Sequence, residues 1–140
     1  MELRHLKSGT DVRGTAVNPD DPKKIDLTDE AVKRISAAFV VFLAEKLGKK
    51  EEELVISVGH DSRISAERIK SDVIDALSFF GLEIKDCALA STPAMFMTTK
   101  MLGCDGAVQI TASHHPWDRN GLKFFTPDGG LSGDEIKSIL

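Results

Sequence analysis

The densest concentration of reactive groups in the sequence lies in one short connection. It reads Thr111-Ala112-Ser113-His114-His115-Pro116-Trp117-Asp118-Arg119-Asn120-Gly121, with Lys123 two residues beyond. Hydroxyls, two imidazoles, a guanidinium and an ammonium in one stretch suit the binding or transfer of phosphate, whose oxygens need cations and donors around them. Taken by residue type, Ser113 is either a nucleophile or a hydrogen-bonding turn residue. His114 and His115 are metal-ligand types, but adjacent loop side chains seldom both reach one ion, and no third ligand cluster accompanies them. A serine hydrolase would need a G-x-S-x-G elbow between strand and helix. This serine has no such pattern and sits between two predicted strands.

The chain has 140 residues, 41% apolar and 29% charged, which is the profile of a globular protein able to bury a core. A net charge of -4 and a pI near 5.5 argue against nucleic acid and against an anionic membrane surface as partners. Charged residues at Glu2, Arg4, Lys7, Asp11 and Arg13 leave no signal-peptide apolar region. The longest apolar run, residues 37–44, falls far short of the roughly 20 needed to span a bilayer. Cys87 and Cys104 make neither a disulfide framework nor metal spacing and read as two reduced, buried side chains. A soluble, cytoplasmic protein is the expectation.

The reactive connection must be held by the elements on either side. A polar lead-in is expected up to Pro22. Thr28 is a predicted N-cap for a first helix whose Val32, Ile35, Phe39 and Leu43 face the core, with Gly48 as its stop. Residues 54–58 read as a buried strand. A second helix is predicted from Ser65, with Ile64 and Ile69 as a hydrophobic staple and Gly81 as its end. A strand within residues 82–89 follows, then a helix with Thr92 as N-cap and Pro93 at its first position, ending at Gly103. Residues 107–110 and 122–125 are the third and fourth strands. Ser132 and Glu135 form a predicted capping box for a last, short helix. Because that helix stops at Leu140 after about two turns, the natural chain is expected to continue.

Strands alternating with helices imply a parallel α/β sheet, with the last two strands antiparallel because no helix separates them. Loops 59–63, 90–93 and 111–121 should then share the rim beyond the carboxyl ends of the strands.

Residues 111–116 followed by Asn120-Gly121-Leu122-Lys123-Phe124 resemble the active-site loop of the α-D-phosphohexomutases, T-A-S-H-N-P, a spacer, then N-G-x-K. Three further segments agree in order. Gly9-Thr10-Asp11-Val12-Arg13-Gly14 resembles the family's N-terminal arginine loop, and Gly59-His60-Asp61-Ser62-Arg63-Ile64-Ser65 resembles its G-R-D-x-R-x-S segment. Ser91-Thr92-Pro93-Ala94 resembles the helix start after its second strand. His115 stands where the family often has asparagine, and His60 where it has arginine. The resemblance covers nearly all of residues 1–140, read as a single domain matching the family's first, with the later domains absent.

The resemblance implies a three-layer α/β/α fold with a mixed four-stranded sheet whose last strand is antiparallel. It implies that Ser113 carries a phosphoryl group, gives it to a hexose monophosphate and recovers another from the bisphosphate, interconverting 1-phospho and 6-phospho sugars. Lys123 and Arg13 match the family's positions for acid/base work and charge stabilisation. Arginine is a poor proton acceptor, so Arg13 is assigned electrostatics first. His114 would position the phosphate or assist proton transfer, while Arg63 and Thr111 would support the rim. Mg²⁺ would bind an oxygen of the Ser113 phosphate, with its other ligands from a missing domain. The implied partners are a hexose phosphate and the remaining domains of the parent chain. Overall resemblance leans towards phosphomannomutase/phosphoglucomutase over phosphoglucosamine mutase. The isolated domain is expected to lack turnover, and a non-catalytic sugar-phosphate-binding module is the alternative.

Overall fold

A computed structural model describes residues 2–140. The helices begin and end where local chemistry dictates. Helix α1 (Asp29–Leu47) is capped by the Thr28 hydroxyl, which accepts the Ala31 N–H, and is closed by Gly48 at φ 64°. Its Val32, Ile35, Phe39 and Leu43 are fully buried, as their spacing predicts. Helix α2 (Ala66–Phe79) buries Ile69, Val73 and Leu77, but Ile64 stays 77% exposed, so the predicted staple does not form. Helix α3 (Thr92–Met101) is capped by Ser91, one residue before the expected Thr92, because it is the Ser91 hydroxyl that accepts the Ala94 N–H. Helix α4 (Gly133–Ile139) has the predicted capping box of Ser132 and Glu135.

The predicted four strands are present as β3 (Val55–His60), β4 (Glu83–Leu89), β5 (Gly106–Ile110) and β6 (Arg119–Thr126). The sheet is larger than expected. It also contains β1 (Lys7–Ser8), β2 (Asp11–Thr15) and β7 (Gly129–Gly130), in the order β1-β2-β6-β5-β3-β4 with β7 beside β6. The expected lead-in thus contains a strand, β2, antiparallel to β6 with Val12 opposite Leu122 and Arg13 opposite Gly121. Strand β3 runs parallel to β4 and β5, while β5 and β6 are antiparallel. The mixed α/β/α architecture stands, with seven strands in place of four.

Alternation sorts the side chains between two unequal faces. Val12, Ile56, Val58, Val108, Ile110, Leu122 and Phe124 join α1, α2 and α4 in the main core. The opposite face carries α3, under which Met95, Ala107 and Phe125 form a smaller cluster. Cys104 is buried, whereas Cys87 on edge strand β4 is only half-buried; both thiols are free. Among the described residues no helix is long and apolar enough to cross a membrane.

Candidate active site

The three loops expected at one rim do meet there. The Ala90 N–H donates to the His60 carbonyl at 3.0 Å, and the Asp61 N–H donates to Ile110 at 3.0 Å. The Thr111 hydroxyl donates to the Asp61 carboxylate at 2.8 Å. Loop 111–121 is therefore built against loop 59–63.

Arg63 is the knot between them. One terminal nitrogen donates to the carbonyls of Pro116 and Arg119 at 2.5 and 3.2 Å. The other donates to those of Ser113 and His115 at 2.8 and 2.7 Å. Its Nε faces the Asp61 carboxylate at 3.5 Å. Thr111 completes the frame, its hydroxyl oxygen accepting the Ser113 N–H at 3.0 Å. Both backbone polar groups of Ser113 are thus held by side chains. They fix it at φ 55°, a left-handed conformation that costs a non-glycine residue about 1 kcal/mol. The result is an exposed Ser113 side chain on a rigid support, its Oγ 3.4 Å from Nδ1 of the exposed His114.

His115 stacks on His114 with ring centroids 5.6 Å apart. Desolvation, then the positive charges of Arg119, Arg13, His114 and Arg63, hold His115 below the usual histidine range. It is consequently neutral near pH 7. His60 turns away from Ser113. Its Nδ1 lies 2.7 Å from the Asp61 carbonyl and its Nε2 faces Glu67 on α2 at 3.7 Å.

Arg13 and Lys123 come from neighbouring strands and lie on the α3 side of the sheet. Their shared partner is Asp11. Its Oδ1 accepts from Lys123 Nζ at 2.9 Å, and its Oδ2 accepts from Arg13 at 3.0 Å. Arg13 is only 5% exposed; burial pulls its pKa below the usual arginine value, while Asp11 pulls the other way. Gly121 makes room for it. A Cβ there would meet the Val12 carbonyl and stand 2.5 Å from the Arg13 guanidinium. The Gly121 carbonyl accepts the Thr111 N–H at 3.0 Å, which ties this cationic pair to the stem of the serine loop. Among the described residues the hydrogen bonds of Arg13 and Lys123 go to Asp11 and the Val12 carbonyl, not to Ser113.

Sequence reasoning missed two participants. Asp11 is 112 residues from Lys123 and gives no local signal of the pairing. Asn120 is fully buried; its amide donates to Ser65 at 2.8 Å and its oxygen accepts the Gly121 N–H, anchoring the loop's far end to α2. That role was legible only as part of the N-G-x-K motif.

The residues present do not by themselves make a magnesium site. Among those described, no three His, Cys, Asp or Glu side chains group as ligands. The Asp61 carboxylate, which packs against the loop, is already engaged by Thr111 and Arg63.

Comparison with known proteins agrees with this fold. Residues 5–140 match the profile of phosphoglucomutase/phosphomannomutase, alpha/beta/alpha domain I. A phosphoglucosamine mutase of Pediococcus pentosaceus is 34% identical over the whole chain, which spans 29% of that relative's length. A phosphoglucomutase/phosphomannomutase of Thermococcus kodakarensis is 38% identical over 82% of the chain and 25% of its own length. A phosphoglucomutase/phosphomannomutase family protein of Burkholderia thailandensis shares the fold at a TM-score of 0.78 and 22% identity, covering 99% of this chain and 30% of that one. With the profile spanning nearly every residue, the chain belongs to the phosphoglucomutase/phosphomannomutase family and corresponds to its α/β/α domain I.

Proposed function

We propose that this chain is the phosphoryl-carrying domain of a phosphohexomutase, with Ser113 as the carrier. The observation that supports this best is the frame around Ser113, which holds both its backbone groups and leaves its hydroxyl exposed beside an imidazole. In the transfer, the bond from Ser113 Oγ to phosphorus breaks as the oxygen of a sugar hydroxyl, on a hexose monophosphate, bonds to that phosphorus; the hydroxyl gives its proton to a base and the departing Ser113 Oγ takes one up. The other phosphoryl group of the resulting bisphosphate then returns to Ser113. Such transfers depend on positioning and on charge stabilisation. Arg13 supplies fixed positive charge, Lys123 and His114 handle protons and phosphate oxygens, and Arg63 with Thr111 fixes the loop. The Ser113 phosphate would offer an oxygen to a divalent cation, Mg²⁺ by family resemblance, which would supply further neutralisation of phosphate charge; its other ligands are not among the residues described. The relatives' greater length accommodates such ligands and the groups that read the sugar, so the 140-residue chain alone has no significant mutase turnover.

Intact and peptide mass spectra test the carrier role, before and after incubation with glucose 1,6-bisphosphate and Mg²⁺. A phosphate on Ser113 that is absent from Ser113→Ala is the expected result. No phosphate under either condition, even with the other domains of a relative supplied in trans, would leave a binding module. For the sugar we infer a phosphomannomutase/phosphoglucomutase substrate. The name of the Pediococcus relative favours glucosamine phosphate as a second reading. The two are separated by which bisphosphate, of glucose or of glucosamine, phosphorylates Ser113 faster.

A further inference from the structure

Two cations beside a phosphoryl-transfer site would ordinarily face the phosphate alone, yet here both already have an anion. The β2–β6 register, continued by one pair, puts Asp11 opposite Lys123, and alternation puts Asp11 and Arg13 on the same face of β2. The Asp11 carboxylate, 18% exposed, spends one oxygen on each cation, at 2.9 and 3.0 Å. Gly121 and the Val12 carbonyl hold the Arg13 guanidinium in place from the other side. Lys123 also lies 5.8 Å from the Phe125 ring centroid, a second contact that its ammonium makes along the same strand.

We propose that Asp11 is a positioning residue that serves as the resident counter-anion of Arg13 and Lys123 and competes with phosphate for them. The proposal rests on the reading of Ser113 as the carrier. With Asp11 in place the trio carries one net positive charge; with Asp11 neutral it would carry two. A site with two free cations grips a phosphoryl group strongly in every state and gains nothing in the transition state from that grip. Asp11 lowers the grip on the resting phosphate, and it keeps the two cations aligned when no phosphate is there.

The test is the affinity of the full 140-residue chain for inorganic phosphate, read from the amide signals of Ser113, His114 and Gly121 by NMR. Wild type is compared with Asp11→Asn, Asp11→Ser and Asp11→Glu. Both neutral variants should bind phosphate about tenfold tighter, Asp11→Glu should stay near wild type, and the gap should shrink in ~1 M salt. Phosphate binding equal to or weaker than wild type in the folded neutral variants would overturn the proposal, since a purely structural carboxylate gives that result. Failure of both neutral variants to fold would overturn it too, by assigning Asp11 to the fold. A chain whose Ser113 never takes a phosphoryl group, but whose neutral variants bind phosphate tighter, loses the carrier reading alone.

Discussion

On the face covered by α1, α2 and α4, the central strands present Val12, Ile56, Val58, Val108, Ile110, Leu122 and Phe124, all fully buried. On the face that carries α3, the residues between them are Asp11, Arg13, Ser57, Gln109 and Lys123. The same four strands thus show hydrocarbon on one side and, at these positions, polar groups on the other. Buried polar groups on the second side are mostly paired, the Gln109 Oε1 being left without a partner. Ser57 and Thr98 share a 2.6 Å hydroxyl bond, and Gln109 donates to the Ala90 carbonyl at 2.8 Å. The contrast teaches that the first face supplies stability and the second is free to hold charge near the rim, because the first has already secured the sheet.

Breaking the comparison should begin on the first face. Phe39 is fully buried with its ring 4.5 Å from that of Phe124. Phe39→Ala should lower unfolding free energy by about 3–5 kcal/mol in urea denaturation. Gly121→Ala strikes the second face at its narrowest point, where a Cβ meets the Val12 carbonyl. We expect about 1–3 kcal/mol of destabilisation together with loss of Ser113 phosphorylation. Arg63→Lys should cost stability less, about 1 kcal/mol, since one ammonium cannot reproduce the fork that serves four carbonyls. Hydrogen exchange at the amides of residues 113–115 should nevertheless rise clearly. Ser113→Ala should leave stability within about 0.5 kcal/mol while abolishing phosphorylation, which is the sharpest separation of the two faces.

A pH dependence of stability is built into the first face. Burial, then the hydrogen bond and charge of Asp29, push the Asp72 carboxyl up to about 6, and its Oδ2 has no hydrogen-bond partner. Hydrogen bonds from Asp72 and then Arg68 hold Asp29 below the usual range, so below about pH 6 Asp29 is ionised while Asp72 holds the proton. A raised folded pKa gives stability that is complete below the unfolded value of 3.8 and is lost as pH rises through about 6. Urea midpoints for wild type should therefore fall between pH 5 and pH 7 relative to Asp72→Asn, in which no proton is released. An unchanged difference between the two proteins would remove Asp72 from the pH response.

How much of this could be read in the sequence depends on how local each signal is. Helix α1 was legible from end to end, because Thr28 and Gly48 act on their own neighbours and the apolar spacing from Val32 to Leu43 spans about three turns. The serine loop was legible as a motif because its residues are contiguous. Strand β2 was not, since five residues that include Asp11, Arg13 and Gly14 lack an apolar run, and pairing with β6 is what makes them a strand. Ile64 failed as a staple because its side chain turns to solvent, which spacing alone does not encode. The Asp11 bridge was hidden for the same reason as β2: it exists only once the two strands lie side by side.

Arg63 has five N–H groups, and the four carbonyls and Asp61 engage them all. None is left to follow a ligand. Fixing a backbone residue costs on the order of 1–2 kcal/mol of conformational entropy, and the loop has eleven residues. That ordering is completed once, when the chain folds, and is not repeated at each encounter with a ligand. Successive ligands therefore meet a loop of unchanging shape, and differences among them must be felt by groups other than this loop.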